Sequence, residues 1–297
     1  MGSATAGAQW ISAPPTGRSG RRMGIPFQPS FRFAFPISNS IGQLKGKREI
    51  KGGKVCYSAE GVKDEIEEEE ACELVNGMEL SIGEEAHHSI TAYLFKAVKN
   101  NNGTAILLLT DLFAFQDSSV RDFAYRLACN GFNVLLPDVF HGDSCEEQKT
   151  VEDIAAATKW LVDEFSAAGI SRKLGIVGFG YGGGRVIDVL AQDKGSYFSI
   201  GASLYGTEVN PSLATKVEVP VLLISGDNDP LCPVSVMKDL EKGMGEGSKL
   251  VIFGGRGHGF VHKPGSPEED EDAEQAFLML RNWLHDGLVA TNIEPTA

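Results

Sequence analysis

The sequence predicts an α/β protein: a doubly wound, mostly parallel sheet with helices on both faces, in one domain over residues 74–290. Three observations carry this. Short runs such as Ala105-Ile106-Leu107-Leu108-Leu109 are apolar at every position, as strands buried on both faces must be. Amphipathic helical patterns alternate with these runs, which is the signature of parallel βα units. No repeat or linker divides the segment.

The elements are expected in the following order. Glu73 to Leu80 and Ser89 to Phe95 read as two antiparallel edge strands, and Asn100 to Gly103 as a turn. The strand 105–109 comes next, then a helix from Asp117 to Cys129 ended by Gly131. Phe132 to Leu136 is a strand closed by Pro137. Thr150-Val151-Glu152-Asp153 resembles a capping box and opens a helix to Ala168, with Ile154, Trp160, Leu161 and Phe165 on its apolar stripe. Leu174 to Val177 is a strand and Arg185 to Gln192 a helix. Strands follow at 198–204 and 219–225, then a helix after Pro233, a strand at 249–253 and a last helix from about Glu268 to Asp286.

Composition bounds the function classes. The 297 residues are 42% hydrophobic, enough for a sizeable core. A formal net charge of −13 argues against nucleic acid or an anionic membrane as partner, because both recruit basic patches. No apolar run approaches the roughly 18 residues of a spanning helix. Charge is uneven: residues 1–55 hold nine basic residues against Glu49 alone. That leader is rich in Ser, Gly and Pro and reads as an organelle transit peptide. A chloroplast (stroma) address is expected, with the mitochondrion as alternative, and cleavage near Val55 or Cys56. Residues 56–73 form an acidic lead-in around Glu67 to Glu70, and 291–297 a tail. Five cysteines, without close pairing or a zinc-type spacing, read as reduced thiols.

In a parallel sheet, sites form beyond the carboxyl ends of the strands. The segment Gly178-Phe179-Gly180-Tyr181-Gly182 follows a strand and precedes a helix, the setting of a nucleophile elbow, Gly-x-nucleophile-x-Gly. Gly180 occupies the nucleophile slot. Downstream come Gly226-Asp227-Asn228-Asp229-Pro230 and Gly257-His258-Gly259. Elbow, acid and histidine follow in the chain order of an α/β-hydrolase triad. Asp229 is the candidate acid, fixing the tautomer of His258, which carries the proton. Asp227 is expected to bond its own loop backbone. The backbone amides of Leu112 and Tyr181 are the expected oxyanion donors. His87, His88, His262 and His285 read as surface residues. Cys232 and Cys145 lie near these loops but on no strained elbow, so a relocated thiol nucleophile is disfavoured.

These motifs, together with Leu112-Phe113, Asn133-Val134-Leu135-Leu136-Pro137-Asp138 and Gly257-His258-Gly259-Phe260, make residues 74–287 resemble the dienelactone hydrolase family (carboxymethylenebutenolidase-like α/β-hydrolases). The resemblance implies a Cys-His-Asp triad cleaving lactones or other small carboxylic esters without a cofactor or metal. It also implies departures. Gly180 stands at the family's cysteine; Asp111 stands at a glutamate that governs that cysteine's protonation; His141 stands where an arginine holds a substrate carboxylate. Asp111 and His141 are therefore the candidate substrate-binding residues. Two readings stay open: a hydrolase with weak or lost activity, or a non-catalytic descendant binding a small carbonyl or ester ligand or a partner protein. A cysteine restored at position 180 is expected to be tolerated and to regain acyl transfer.

Overall fold

The computed structural model describes residues 74–83, 89–112, 114–140, 147–168 and 174–290. The leader, the acidic lead-in, the tail and His141 lie outside the described residues, as do His87, His88, Cys56, Cys72 and Cys145.

Among the described residues, eight strands form one sheet: β1 Val75–Ile82, β2 Ile90–Ala97, β3 Ala105–Leu109, β4 Asn133–Pro137, β5 Leu174–Phe179, β6 Phe198–Leu204, β7 Val221–Gly226 and β8 Lys249–Phe253. Their spatial order is β1-β2-β4-β3-β5-β6-β7-β8. Only β2 runs against its neighbours, pairing antiparallel with both β1 and β4. The helices are α1 Ser118–Cys129, α2 Glu147–Ala167, α3 Gly180–Asp193, α4 Val234–Gly243 and α5 Pro267–Leu288. Asp117 caps α1 by accepting from Ser119 N, and Ser266 caps α5 by accepting from Glu269 N.

Both faces of the sheet are covered. Side chains at Gly175 would point at Leu284 and Leu288 of α5. Gly201 pairs in register with Ile176, one residue on, so it faces the other way, and there it meets Leu190 and Val186 of α3. This is why β3, β4 and β5 are buried at every position.

Two expectations need correction, and one element lies outside the expected set. The helix α2 begins at Glu147, not at a Thr150 cap, because Glu147, Gln148 and Lys149 are good helix formers and extend it by about a turn. The helix α3 begins at Gly180, five residues before Arg185. Its glycines lower helix propensity and mimic a loop in the sequence, but the backbone requires them. A Cβ on Gly182 would lie 2.3 Å from Thr110 O, and one on Gly184 2.0 Å from Thr207 O. The element outside the expected set is a short 3₁₀ turn at Pro211–Lys216, capped by Asn210, whose side chain accepts from Ser212 N.

Candidate active site

The strand register sets the site. Leu109 of β3 pairs with Gly178 of β5, so the residues two further on, Asp111 and Gly180, emerge level at adjacent strand ends. Gly180 has φ +50°, the left-handed conformation of a sharp strand-to-helix turn, and it opens α3. The Asp111 carboxylate bends over it. Its Oδ1 accepts from Leu112 N and Tyr181 N, each at 2.9 Å. The first-turn amides of a helix are a natural anion cradle. A Cβ built on Gly180 would lie 2.4 Å from Asp111 Cγ, 2.6 Å from Oδ2 and 2.7 Å from Oδ1. The carboxylate therefore fills the volume where a nucleophile at position 180 would begin, and it engages both amides expected to serve as oxyanion donors. This contact bears against the tolerance expected for cysteine at position 180, because a side chain there would have to displace the Asp111 carboxylate, which is hydrogen-bonded on both oxygens.

The acid and base come from the other end of the sheet. The loops after β7 and β8 are joined by Asp227 N to Phe253 O at 3.1 Å and Asn228 N to Arg256 O at 3.0 Å. Asp227 accepts from Gly255 N across this seam, so it ties two loops together and does not bond its own loop as expected. Asp229 Oδ1 accepts from Leu231 N at 2.9 Å, and its side chain is fully buried. Its Oδ2 lies 2.8 Å from His258 Nδ1. His258 Nε2 in turn lies 3.3 Å from Asp111 Oδ2. The structure thus links Asp229, His258, Asp111 and the amides of Leu112 and Tyr181 in one continuous polar chain that passes over Gly180.

Charge follows from these contacts. Burial pushes the Asp111 carboxyl up, but the hydrogen bonds from His258, Tyr181 N and Leu112 N outweigh it and hold the group below its ordinary value. Burial lowers His258, yet its bonds to Asp111 and Asp229 win and raise it above 6.5. Two carboxylates face one imidazole, so the cationic form bridges them. Neutral His258, with its proton on Nδ1 toward Asp229, would turn the Nε2 lone pair toward an ionised Asp111. Base catalysis by His258 is therefore confined to pH above its raised value.

A second layer supports the imidazole. Tyr205, just past β6, has φ +41° and is fully buried. Its ring meets His258 edge-on at 5.0 Å, and its hydroxyl pairs with His262 Nδ1. His262 also packs on Phe179 at 4.8 Å, and burial pushes it down to about 4, so it is neutral. His262 is thus no surface residue, contrary to expectation. The rule used for the other strand ends, applied to Leu204-Tyr205-Gly206, would have found Tyr205. His285 is exposed beside Asp286. Cys232 is fully buried, its thiol pushed up to about 11 by burial, which makes a poor nucleophile. Among the described residues, no group of three or more His, Cys, Asp or Glu side chains is placed to hold a metal ion. No helix among them is long and apolar enough to cross a membrane.

A hydrolase-type sheet with an elbow, an acid–histidine pair and two convergent amides defines the class, and comparison with known proteins gives the family. The dienelactone hydrolase family matches residues 90–288, and the chain belongs to it. The human carboxymethylenebutenolidase homolog is 28% identical over 220 residues, covering 66% of this chain and 87% of that protein. The hydrolase tropI of Talaromyces stipitatus is 21% identical, covering 52% of this chain and 69% of its own length. Among solved structures, the dienelactone hydrolase of Anabaena variabilis superposes with a TM-score of 0.58 at 18% identity, covering 73% of this chain and all of that one.

Proposed function

We propose that this protein is a dienelactone-hydrolase-family member in which acyl transfer to lactones and small carboxylic esters is weak or lost. One observation carries this reading: Asp111 fills both the nucleophile's space and the oxyanion cradle. Loss of the nucleophile alone leaves about 10³–10⁴-fold catalysis over water, supplied by the oxyanion hole and binding. Here the hole already holds a carboxylate oxygen, which repels a developing oxyanion, so even that residue of activity is removed. Asp229 and His258 remain as the acid and the base, and Leu112 N and Tyr181 N as anion donors. Asp111 acts as the occupant of that cradle, and His141 is retained as a candidate substrate-binding residue. The same occupancy favours the second reading, a site that binds a small carbonyl or ester ligand without acyl turnover.

The test is a panel of lactones and p-nitrophenyl esters given to the full chain at a pH above the raised His258 value. Rates within about tenfold of buffer are expected. Rapid turnover that disappears in Cys232→Ala would contradict the reading. The leader is read as a plastid import signal on its charge and composition. N-terminal sequencing of the protein from intact organelles should start near residue 56, and a start at residue 1 or 2 would refute it.

A further inference from the structure

The occupied cradle closes one chemistry and fits another. A carboxylate is itself a nucleophile when it is held and desolvated. Asp111 Oδ1 sits on two backbone amides at 2.9 Å, while Oδ2 is turned toward His258 Nε2 at 3.3 Å. The Asp111 side chain keeps 30% of its exposure, so solvent and small molecules reach it. Its Oδ2 lies 2.6 Å from the point where a side chain of residue 180 would begin.

We infer that Asp111 is the nucleophile of this site, acting on an sp³ carbon that bears an anionic leaving group, with a primary alkyl halide as the simplest member of the class. The inference rests on the reading that the acyl route is closed. The geometry selects alkyl over acyl electrophiles for a definite reason. Attack on a carbonyl creates an oxyanion on the substrate at once, and the cradle that would hold it is full. Displacement at an sp³ carbon creates no such oxyanion, so the first step needs no free hole.

In that step Asp111 Oδ2 forms a bond to carbon as the carbon–halogen bond breaks, and halide leaves to solvent. The product is an alkyl ester on Asp111. Its carbonyl oxygen, Oδ1, is already on Leu112 N and Tyr181 N. In the second step His258 Nε2 takes a proton from water, whose oxygen attacks Asp111 Cγ. The oxyanion now develops on Oδ1, where the two amides stand. Collapse expels the alkoxide, which takes the proton back from His258, and Asp111 is left as a carboxylic acid that ionises. The sum is alkyl halide plus water giving alcohol plus halide and a proton. Asp229 holds the imidazole in orientation throughout.

The oxygen bookkeeping is distinctive. The alcohol carries away Asp111 Oδ2, and the water oxygen enters the carboxylate. The experiment is a single turnover of the full chain with 1-bromobutane in ¹⁸O-water at a pH above the His258 value. Butanol is expected without label, and the peptide holding Asp111 with one ¹⁸O. Asp111→Asn should lose roughly 10³-fold or more of the bromide release. His258→Gln should accumulate a butyl ester on Asp111, visible by mass even if Asp111→Asn fails to fold. Labelled butanol with unlabelled Asp111, or no bromide release by folded wild type, overturns the inference. The ester panel run alongside separates the two readings: a fast ester rate sinks the closed acyl route, whereas absence of label sinks only the role of Asp111.

Discussion

Gly180→Cys combined with Asp111→Ala should create an acyl-transfer enzyme where neither single change does. Gly180→Cys alone places Cβ 2.4 Å from Asp111 Cγ, so it should yield no acyl burst and cost about 1–3 kcal/mol through overpacking. Asp111→Ala alone frees Leu112 N and Tyr181 N but supplies nothing to attack. Together they leave a thiol at the N-terminus of α3, beside His258, with both amides open. The helix terminus and the imidazole favour the thiolate. Stopped-flow release of p-nitrophenol should then show a burst approaching one equivalent, with turnover on the order of 10²–10³-fold above wild type, the range attached to a working oxyanion donor. A burst from Gly180→Cys alone would mean that Asp111 yields easily and that its place in the cradle is incidental.

The second large effect is on stability. In an ordinary helix, glycine to alanine gains about 1 kcal/mol. At Gly184 the sign should reverse, because the new methyl would stand 2.0 Å from the backbone oxygen of Thr207, which has no rotamer to escape through. Gly184→Ala should cost about 3 kcal/mol, read as a lower urea midpoint with unchanged slope. Gly182→Ala, 2.3 Å from Thr110 O, should behave alike. A neutral or stabilising result would show that α3 stands further from the loop after β6 than described.

The same glycines explain what the sequence could and could not disclose. The strands β3, β6 and β8 carry the bounds expected of them: β3 is apolar at every position, and the largely apolar cores of β6 and β8 are bracketed by glycine, serine or turn residues. The helix α3 begins earlier than helix propensity indicates: three of its first four residues are glycine, Gly182 and Gly183 for close backbone approach, and propensity reads glycine as loop. The nearness of Asp229 and His258 follows from strand order alone. The seat of Asp111 does not. It depends on the β3–β5 register and on one rotamer, and only the missing side chain at Gly180 hints at it. Tyr205 and His262 escaped because their roles lie in ring contacts and burial, which no local pattern announces.

The contact on which everything turns is Asp111 Oδ2 with His258 Nε2, and an NMR titration of the His258 imidazole in wild type and Asp111→Ala tests it most directly. Asp111 helps to hold His258 above 6.5 in the intact site. Its removal should lower the titration midpoint and leave the Nδ1–H of neutral His258 donating to Asp229. A midpoint unmoved by Asp111→Ala would place the carboxylate elsewhere and contradict the account of a filled nucleophile site.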